Sequence, residues 1–206
     1  MSTFYFEKIK RLHALAEIGL ELSDVAYDRE RYEEMREISL EMLEKMTDIP
    51  IEKIIPVIEE RNGYRTPKVD VRAVVFNEKD QILLVKENVD GKWAMPGGWT
   101  DISFSPGEVA EKECVEEAGL KVKAKRLLAV MDKQKQGMPP AFEYVYKIYL
   151  LCEKQDDSIS TGSETSDVRW FYENEIPELS QARNTEAQIA MMYEYLRGER
   201  TETYFD

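Results

Sequence analysis

The chain has little cysteine, little histidine and no surplus of positive charge, and each shortage excludes a class of function. Its 206 residues include two cysteines, Cys114 and Cys152, and one histidine, His13. Two cysteines cannot build a disulfide framework, and with one histidine they supply no soft ligand set for a metal. The formal net charge of -13 argues against a nucleic-acid surface, which needs clusters of lysine and arginine.

Long apolar runs are missing as well. No apolar stretch reaches the 18 or so residues of a membrane span. The amino terminus lacks the basic, apolar and small-residue order of a signal peptide. We therefore expect a cytoplasmic protein without a membrane partner. A hydrophobic content of 43% is enough for a buried core in one large or two small domains.

Carboxylates are abundant, and they are concentrated in the segment GGWTDISFSPGEVAEKECVEEAGL, residues 97–120. Pro106 suits the first position of a helix and Gly119 suits its end, which predicts a helix over residues 106–118. One edge of this helix carries small residues at four-residue spacing and is expected to pack on a sheet; these are Ala110, Cys114 and Ala118. Cys114 is therefore interpreted as a core residue.

The other side of the helix gathers Glu113, Glu116 and Glu117, because successive residues turn by about 100°. Like charges at this spacing repel each other unless a cation offsets them. An acidic helix face is often only a solvated surface, but a hard cation such as Mg²⁺ prefers carboxylate oxygens. The pattern favours a divalent cation at the edge of a cleft.

The same segment resembles the signature of the Nudix hydrolases: glycine, five residues, glutamate, seven residues, then Arg-Glu-apolar-any-Glu-Glu-any-Gly-apolar. The opening glycine is Gly98, and the closing run KECVEEAGL spans residues 112–120. The preceding KWAMPGGW is similar to the segment that leads into the signature in this family. Two positions depart from the pattern, because Phe104 replaces the first glutamate and Lys112 replaces the arginine.

The two departures have different consequences. Lys112 keeps the charge of arginine but loses its bidentate fork, which affects rigidity more than chemistry. Phe104 removes one carboxylate, so either fewer cations bind or another acid contributes. The subgroup resembling CDP-choline pyrophosphatase, similar in its helical amino-terminal segment and its VDVRAV opening, also carries an apolar residue there. The substitution is therefore compatible with an active enzyme.

The resemblance implies a metal site and a reaction. It implies Mg²⁺ (or Mn²⁺) held by Glu113, Glu116, Glu117 and the backbone carbonyl of Gly98, with Glu113 also among the catalytic residues. A general base must activate the attacking water, and Glu164, in the loop before the strand VRWF, is the first candidate. Glu143 is its competitor.

Three further residues are candidates for substrate binding. Arg72 lies among apolar strand residues and is either part of a structural ion pair or a phosphate contact, two readings that we weight equally. Lys133, in the loop of residues 132–140, could reach a phosphate, although loop lysines are usually solvated. Trp99 could stack on a nucleobase, whereas Trp93 fits core packing at least as well.

Two domains are expected. Residues 1–66 repeat apolar positions at helical spacing and predict two antiparallel helices with a cap at Ser23 and Asp24, then a short third helix interrupted or bent at Pro56 and closed by Asn62 and Gly63. Two apolar stripes result, and the methionine stripe is expected to be core, with an adaptable binding surface as its alternative. The stripes are Ile9, Leu12, Leu15, Ala16 and Gly19, then Met35, Ile38, Met42 and Met46. His13 is interpreted as a helix-surface or interface residue.

So thin a helical core needs a packing partner, and the resemblance implies a homodimer formed through these helices. Residues 67–206 alternate strand and helix patterns. The strands are expected at Val69–Phe76, Ile82–Val85, Ala124–Met131, Phe142–Cys152 and Val168–Tyr172, and a last helix at Asn184–Leu196. We expect an α+β protein: a Nudix-type α/β/α sandwich preceded by a small helical amino-terminal domain.

The functional hypothesis is metal-dependent hydrolysis of the pyrophosphate bond in a nucleoside diphosphate linked to another moiety. By subgroup resemblance, CDP-choline is the expected substrate, giving CMP and phosphocholine. ADP-ribose or a nucleotide sugar is the alternative within the enzyme class. A non-catalytic nucleotide-binding sensor, which should have lost the metal-binding acids, and an exonuclease acting on RNA ends, which needs a basic track, are the remaining alternatives.

Overall fold

A computed structural model describes residues 3–58 and 66–206. The chain divides into two compact units. The first comprises Met1–Pro67 together with Pro140–Tyr144, and the second comprises Lys68–Pro139 and Val145–Asp206. The segment of residues 140–144 therefore belongs with the amino-terminal unit, although the second unit surrounds it in sequence. In the described part of the chain, no helix has both the length and the apolar character needed to cross a membrane.

The first unit contains three helices, α1 (Thr3–Leu22), α2 (Ala26–Thr47) and α3 (Ile51–Ile58). Contacts join His13 to Ser39 and Glu17 to Arg36, so residue numbers rise along α1 as they fall along α2. The two helices are antiparallel, as predicted. Gly19 allows their close approach, because a Cβ there would overlap the ring of Tyr32.

Only part of each predicted stripe is core. The buried apolar cluster consists of Phe6, Ile9, Leu40, Leu43, Ile54 and Ile58. Leu12 and Leu15 are 44% and 40% exposed, and Met35, Ile38 and Met42 are 37% to 49% exposed. The prediction that Met35, Ile38 and Met42 are core was wrong within one chain, because the pairing of α1 with α2 buries only one face of each helix; the alternative of a binding surface stays a prediction.

Three local predictions in this unit need correction. His13 is buried, and its Nδ1 lies 2.9 Å from the hydroxyl of Ser39 between the helices. α2 has Val25 as its N-cap without a side-chain hydrogen bond, because the Ser23 hydroxyl accepts from the Val25 amide instead. α3 continues through Pro56, so the predicted interruption is wrong, while a bend at Pro56 stays a prediction. The predicted closure at Asn62 and Gly63 lies outside the described residues.

The second unit has two sheets and two helices. Its elements are β1 (Lys68–Val75), β2 (Ile82–Glu87), β3 (Trp93–Ala94), α4 (Pro106–Ala118), β4 (Val122–Asp132), β5 (Val145–Lys154), β6 (Thr165–Phe171), α5 (Glu186–Leu196) and β7 (Tyr204–Phe205). One sheet has the order β1-β5-β4-β7, with β1 parallel to β5, and the other has the order β3-β2-β6. The very short β3 and β7 carry no alternation and were not predicted.

Two cores lie on opposite faces of these strands. Val71, Ala73 and Val75 of β1 join the buried cluster beneath α4, whereas Val74 joins the cluster that contains Ile189 and Met192 of α5. Alternate residues of a strand point to opposite faces, so α4 and α5 cover different sides. The layers are helix, sheet, helix, which confirms the predicted sandwich.

Candidate active site

A cleft of about 720 Å³ opens in the second unit, and charged side chains dominate its lining. The acids are Asp70, Glu87, Asp101, Glu113, Glu116, Glu117 and Glu164, and the bases are Arg72, Lys112, Lys133, Lys147 and Arg183. Gly97, Gly98 and Trp99 complete one wall. The cleft therefore combines an acidic region with several cations, an arrangement suited to a substrate that is itself anionic and arrives with metal ions.

Helix α4 supplies the centre of the acidic region. It begins at Pro106 behind a capping box in which Ser105 and Glu108 exchange hydrogen bonds, and it ends at Gly119 in the left-handed conformation. Ala110, Cys114 and Ala118 are fully buried against the sheet, which confirms the predicted docking edge. This docking orients the opposite side of the helix towards the cleft.

The three glutamates of that side differ in exposure. The side chain of Glu116 is 54% exposed and pairs with Lys112 at 2.9 Å, whereas that of Glu113 is only 15% exposed. Glu117 is 6% exposed, and its Oε2 accepts a 2.8 Å hydrogen bond from the Gly97 amide. Burial raises the pKa of Glu113, and it raises the pKa of Glu117 to about 7. Desolvation outweighs the charge of Arg72, which favours ionisation of both carboxylates.

The glycine pair brings backbone against both β1 and the glutamates. The Val71 amide donates to the Gly98 carbonyl at 2.9 Å, and the Ala73 amide donates to Pro96. Gly97 has φ 149°, and a Cβ there would overlap the Val71 carbonyl oxygen. A Cβ on Gly98 would lie 3.0 Å from a carboxylate oxygen of Glu113. Position 97 therefore needs glycine, whereas a Cβ at position 98 would push the Glu113 carboxylate away by a few tenths of an ångström.

The loop before β6 packs on the carboxyl end of α4. The Ser160 amide donates to the Ala118 carbonyl at 2.8 Å, and the Thr165 hydroxyl donates to the Glu117 carbonyl at 2.7 Å. Gly162 lies so close that a Cβ would overlap the Glu116 carbonyl oxygen. These contacts place Glu164, an exposed residue, at the lip of the cleft.

A buried charge cluster forms the floor of the cleft. Arg72 donates from Nε and Nη2 to the two oxygens of Asp70, at 2.9 and 2.7 Å, and from Nη1 to the Met95 carbonyl. Lys147 donates to the same carboxylate at 2.5 Å, because the parallel register sets Asp70 opposite Lys147. One carboxylate thus faces two cations, and the cluster carries a net positive charge.

Each member of this cluster has a shifted pKa. Burial opposes ionisation of Asp70, but Arg72 and Lys147 outweigh it and lower the pKa of Asp70 to about 2. Burial would lower the pKa of Arg72, yet the Asp70 carboxylate raises it above its usual value. Burial, assisted by the neighbouring charge of Arg72, lowers the pKa of Lys147 to about 7. Arg72 therefore holds its proton while Lys147 is the surplus cation.

Comparison with known proteins identifies the family of this chain. A model described as "NUDIX domain" matches residues 66–193, a span that contains the glycine pair, α4 and the Glu164 loop. The chain belongs to the Nudix hydrolase family. A second model, described as "UDP-X-like, N-terminal oligomerisation domain", matches residues 5–58. The predicted family, fold class and enzymatic nature are thereby confirmed.

Three relatives are informative. A Bacillus subtilis (strain 168) protein described as "Putative ADP-ribose pyrophosphatase YjhB" is 42% identical over 100% of this chain and 99% of its own. The crystal structure of an ADP-ribose pyrophosphatase from Streptococcus suis is 42% identical over 68% of this chain and 100% of that one, with a TM-score of 0.62. The crystal structure of a UDP-X diphosphatase is 33% identical over the full length of both chains, with a TM-score of 0.64.

The structure brings most of the predicted Nudix site residues together. The predicted residues that line the cleft are Gly98, Glu113, Glu116, Glu117, Glu164, Arg72, Lys133 and Trp99. Glu143 is instead part of the segment of residues 140–144 that belongs to the amino-terminal unit, and β5 begins two residues after it. Trp93 is 8% exposed and packs edge-on against Phe171 in the core.

Phe104, the departure from the Nudix signature, is 44% exposed in the loop before α4 and is not among the described residues lining the cleft. Acids that the sequence did not reveal as site residues do line it, namely Asp70, Glu87 and Asp101. Lys147 and Arg183 were missed as well. Asp70 and Lys147 interrupt apolar strands, which is a detectable signal, whereas Glu87 and Arg183 have no local signal because they meet only on folding.

Nudix hydrolases generally use divalent metal ions, and the oxygen donors of this cleft suit such an ion. Burial raises the pKa of both Glu113 and Glu117, and a bound cation would favour their ionised forms. In residues 3–58 and 66–206, no three histidine, cysteine, aspartate or glutamate side chains are already arranged as a metal-binding group, so the α4 glutamates would have to change conformation to bind an ion together. Lys112 and the Gly97 amide hold two of the carboxylates instead.

Proposed function

We propose that this protein hydrolyses the diphosphate linkage of a nucleoside diphosphate joined to a second moiety, with ADP-ribose as the leading substrate. Water attacks one phosphorus, the bond to the bridging oxygen breaks, and the products are a nucleoside monophosphate and a phosphorylated second moiety. The observation that carries the proposal is the meeting of the α4 glutamates, the glycine pair and Glu164 in one cleft.

The choice of substrate follows the relatives. Two proteins at 42% identity bear ADP-ribose pyrophosphatase in their descriptions, and a full-length structural neighbour is a UDP-X diphosphatase. These likenesses favour ADP-ribose, with UDP-linked compounds second. CDP-choline stays a prediction from subgroup resemblance. The proposed substrates share an anionic diphosphate, while they differ in base and second moiety.

We propose Glu113, Glu116, Glu117 and the Gly98 carbonyl as ligands of Mg²⁺ or Mn²⁺. Such an ion would neutralise the diphosphate and make a water molecule more acidic. The residues have their own tasks: Glu113 acts beside the reacting phosphate, Glu164 accepts the proton of the attacking water, and Lys133, which lines the cleft, binds phosphate. Trp99, which is half exposed and lines the cleft, offers its ring to the base.

The experiment is a hydrolysis panel. Purified protein with Mg²⁺ or Mn²⁺ is incubated with ADP-ribose, UDP-glucose, CDP-choline and short RNA, and products are separated by chromatography. Cleavage of ADP-ribose to AMP and ribose 5-phosphate supports the proposal; preference for another nucleotide reassigns the substrate. Binding without turnover in every sample contradicts the proposal and identifies a sensor.

Variants test the roles in the same panel. Glu116→Gln and Glu117→Gln should raise the Mg²⁺ concentration needed for half-maximal rate. Glu111→Gln is the matched control, because Glu111 is on the same helix but bonds to Lys123 and the Ala124 amide. Glu164→Gln should lower kcat by about 10²- to 10⁴-fold if Glu164 is the general base. An unchanged kcat removes Glu164 from that role.

We also propose that residues 1–66 serve assembly, as a homodimer, and residues 67–206 serve chemistry. The matched oligomerisation domain and the exposed apolar side chains of α1 and α2 support this. Ile38→Glu combined with Met42→Glu should convert a dimer to a monomer in analytical ultracentrifugation, and Glu41→Gln, an exposed neighbour on α2, should not. A wild-type chain that sediments as a monomer contradicts the proposal.

A further inference from the structure

A partly buried ion pair, Glu87 with Arg183, lies in the wall of the cleft. Glu87 is the last residue of β2, and its carboxylate lies 2.7 Å from Nε of Arg183. The Glu87 side chain is 4% exposed, while that of Arg183 is 25% exposed. Both residues line the cleft. The Glu87 carboxylate is therefore shielded from solvent, whereas the Arg183 guanidinium stays partly accessible.

The segment that carries Arg183 is anchored on both sides of it. The Ser180 amide donates to the Trp93 carbonyl at 2.8 Å, and the Ser180 hydroxyl donates to Asp90 at 2.7 Å. The Asn184 side-chain oxygen accepts from the Met95 amide at 2.8 Å. The backbone around Arg183 is thus bonded to the segment that leads into the glycine pair. A guanidinium held this way loses little freedom on binding a ligand.

The Glu87–Arg183 ion pair contributes little net stability. Burial raises the pKa of Glu87 despite the nearby charge of Arg183, so the carboxylate is ionised at a cost. A buried ion pair of this kind is often no more stable than apolar residues of similar volume. Its value lies instead in fixing the direction of the guanidinium, whose planar fork matches phosphate oxygens.

The two arginines of the cleft differ in what they can still bind. Arg72 has a side chain that is 4% exposed, and Nε, Nη1 and Nη2 all donate to Asp70 or to the Met95 carbonyl. Arg183 faces Glu87 through an ion pair in which the Glu87 oxygen accepts no hydrogen bond, and its Nη1 donates to the Ser180 hydroxyl at 3.2 Å. The more exposed Arg183 guanidinium is the one a substrate can reach.

We propose that Arg183 contacts a phosphate of the nucleoside diphosphate substrate and that Glu87 is the positioning residue that aims its guanidinium. This inference rests on the proposed function, because it assigns a residue to the same reaction. The negatively charged phosphate would be repelled by the carboxylates of the cleft. Arg183 supplies a hydrogen-bond donor that contacts the phosphate directly, whichever metal ion is bound. The contact strengthens as charge accumulates on the phosphoryl oxygens during attack.

The test compares Arg183→Gln, Arg183→Lys, Glu87→Gln and the double variant. Arg183→Gln should lower kcat/KM on the best substrate of the panel by about 10²- to 10³-fold, with the Mg²⁺ dependence unchanged. Arg183→Lys should recover only part of the loss. Arg197→Gln is the control, since Arg197 pairs with Glu173 and Glu199 and is not among the described cleft residues.

The double variant distinguishes a positioning role of Glu87 from a role in packing alone. Glu87→Gln alone should lower kcat/KM about tenfold, and it should cost almost nothing further in the Arg183→Gln background. An equal loss in both backgrounds overturns the positioning role, and an Arg183→Gln variant within twofold of wild type overturns the contact. If Arg183→Gln fails to fold, the folded Arg183→Lys variant decides by whether its kcat/KM falls.

Failure of the proposed function can be distinguished from failure of the proposed Arg183 contact. If wild-type protein hydrolyses nothing in the panel, that function fails, and calorimetry with Mg²⁺ and inorganic pyrophosphate decides the inference. Weaker pyrophosphate binding by Arg183→Gln than by wild type and Arg197→Gln supports the contact. Equal binding by all three proteins overturns it.

Discussion

Replacement of Asp70 by asparagine tests the buried charge cluster. The side chains of Arg72 and Lys147 are 4% and 1% exposed, and both donate to the Asp70 carboxylate. Asparagine keeps the volume but leaves two buried cations side by side. Removing one partner of a buried ion pair costs about 3–5 kcal/mol, so we expect a loss of that size in the free energy of unfolding at pH 6.

The pH dependence of this loss has a definite sign. Lys147 keeps its proton up to an ordinary pKa of 10.5 when unfolded but only up to about 7 when folded. Between these values the unfolded state binds more protons, so this group makes stability rise with pH. The Asp70→Asn defect should therefore be largest at acidic pH and shrink as the pH rises to about 7, because Lys147 of the variant has lost the carboxylate that raises its pKa and becomes neutral first. Lys147→Met should abolish this part of the pH dependence.

Urea denaturation followed by tryptophan fluorescence measures these effects in the correct unit, because all three tryptophans, Trp93, Trp99 and Trp170, lie in the second unit. Asp157→Asn is the control, since Asp157 is 86% exposed and pairs with Lys154 on the surface, and it should cost less than about 1 kcal/mol. A loss below about 1 kcal/mol for Asp70→Asn at pH 6 refutes the reasoning, and so does Lys147→Met being the more damaging change.

Three further outcomes are expected. Gly97→Ala should lower the melting temperature far more than Gly137→Ala, because a Cβ at 97 would overlap the Val71 carbonyl whereas none of the described atoms lies within 4 Å at 137; equal shifts in scanning calorimetry would contradict the close approach. Cys114 should resist a thiol reagent until the protein unfolds, since burial raises the pKa of its thiol well above the usual value; fast labelling would place it elsewhere. Trp99→Ala should raise KM with little change in kcat, because stacking on the base is remote from the reacting bond; an unchanged KM would remove Trp99 from substrate binding.

For helix α4, the sequence alone was sufficient to predict the structure. The bounds of α4, its buried edge and its glutamate side follow from Pro106, Gly119 and a turn of about 100° per residue, and the structure shows them. Helical spacing was less informative in α1 and α2, where apolar residues occupy several faces. There the pairing of the helices, and not the pattern, selected Leu40 and Leu43 for the core and left Ile38 and Met42 exposed.

The rest of the site required the tertiary structure. Asp70 and Lys147 are 77 residues apart and meet because β1 and β5 are parallel neighbours in a particular register. Glu87 and Arg183 meet because hydrogen bonds join the loop before α5 to the segment before the glycine pair. The sequence by itself determined the family signature and the carboxylates of α4, since those depend on spacing along one element. Only the tertiary structure decided which cations and which additional acids face them, because those contacts depend on strand register and loop packing, which local spacing does not encode.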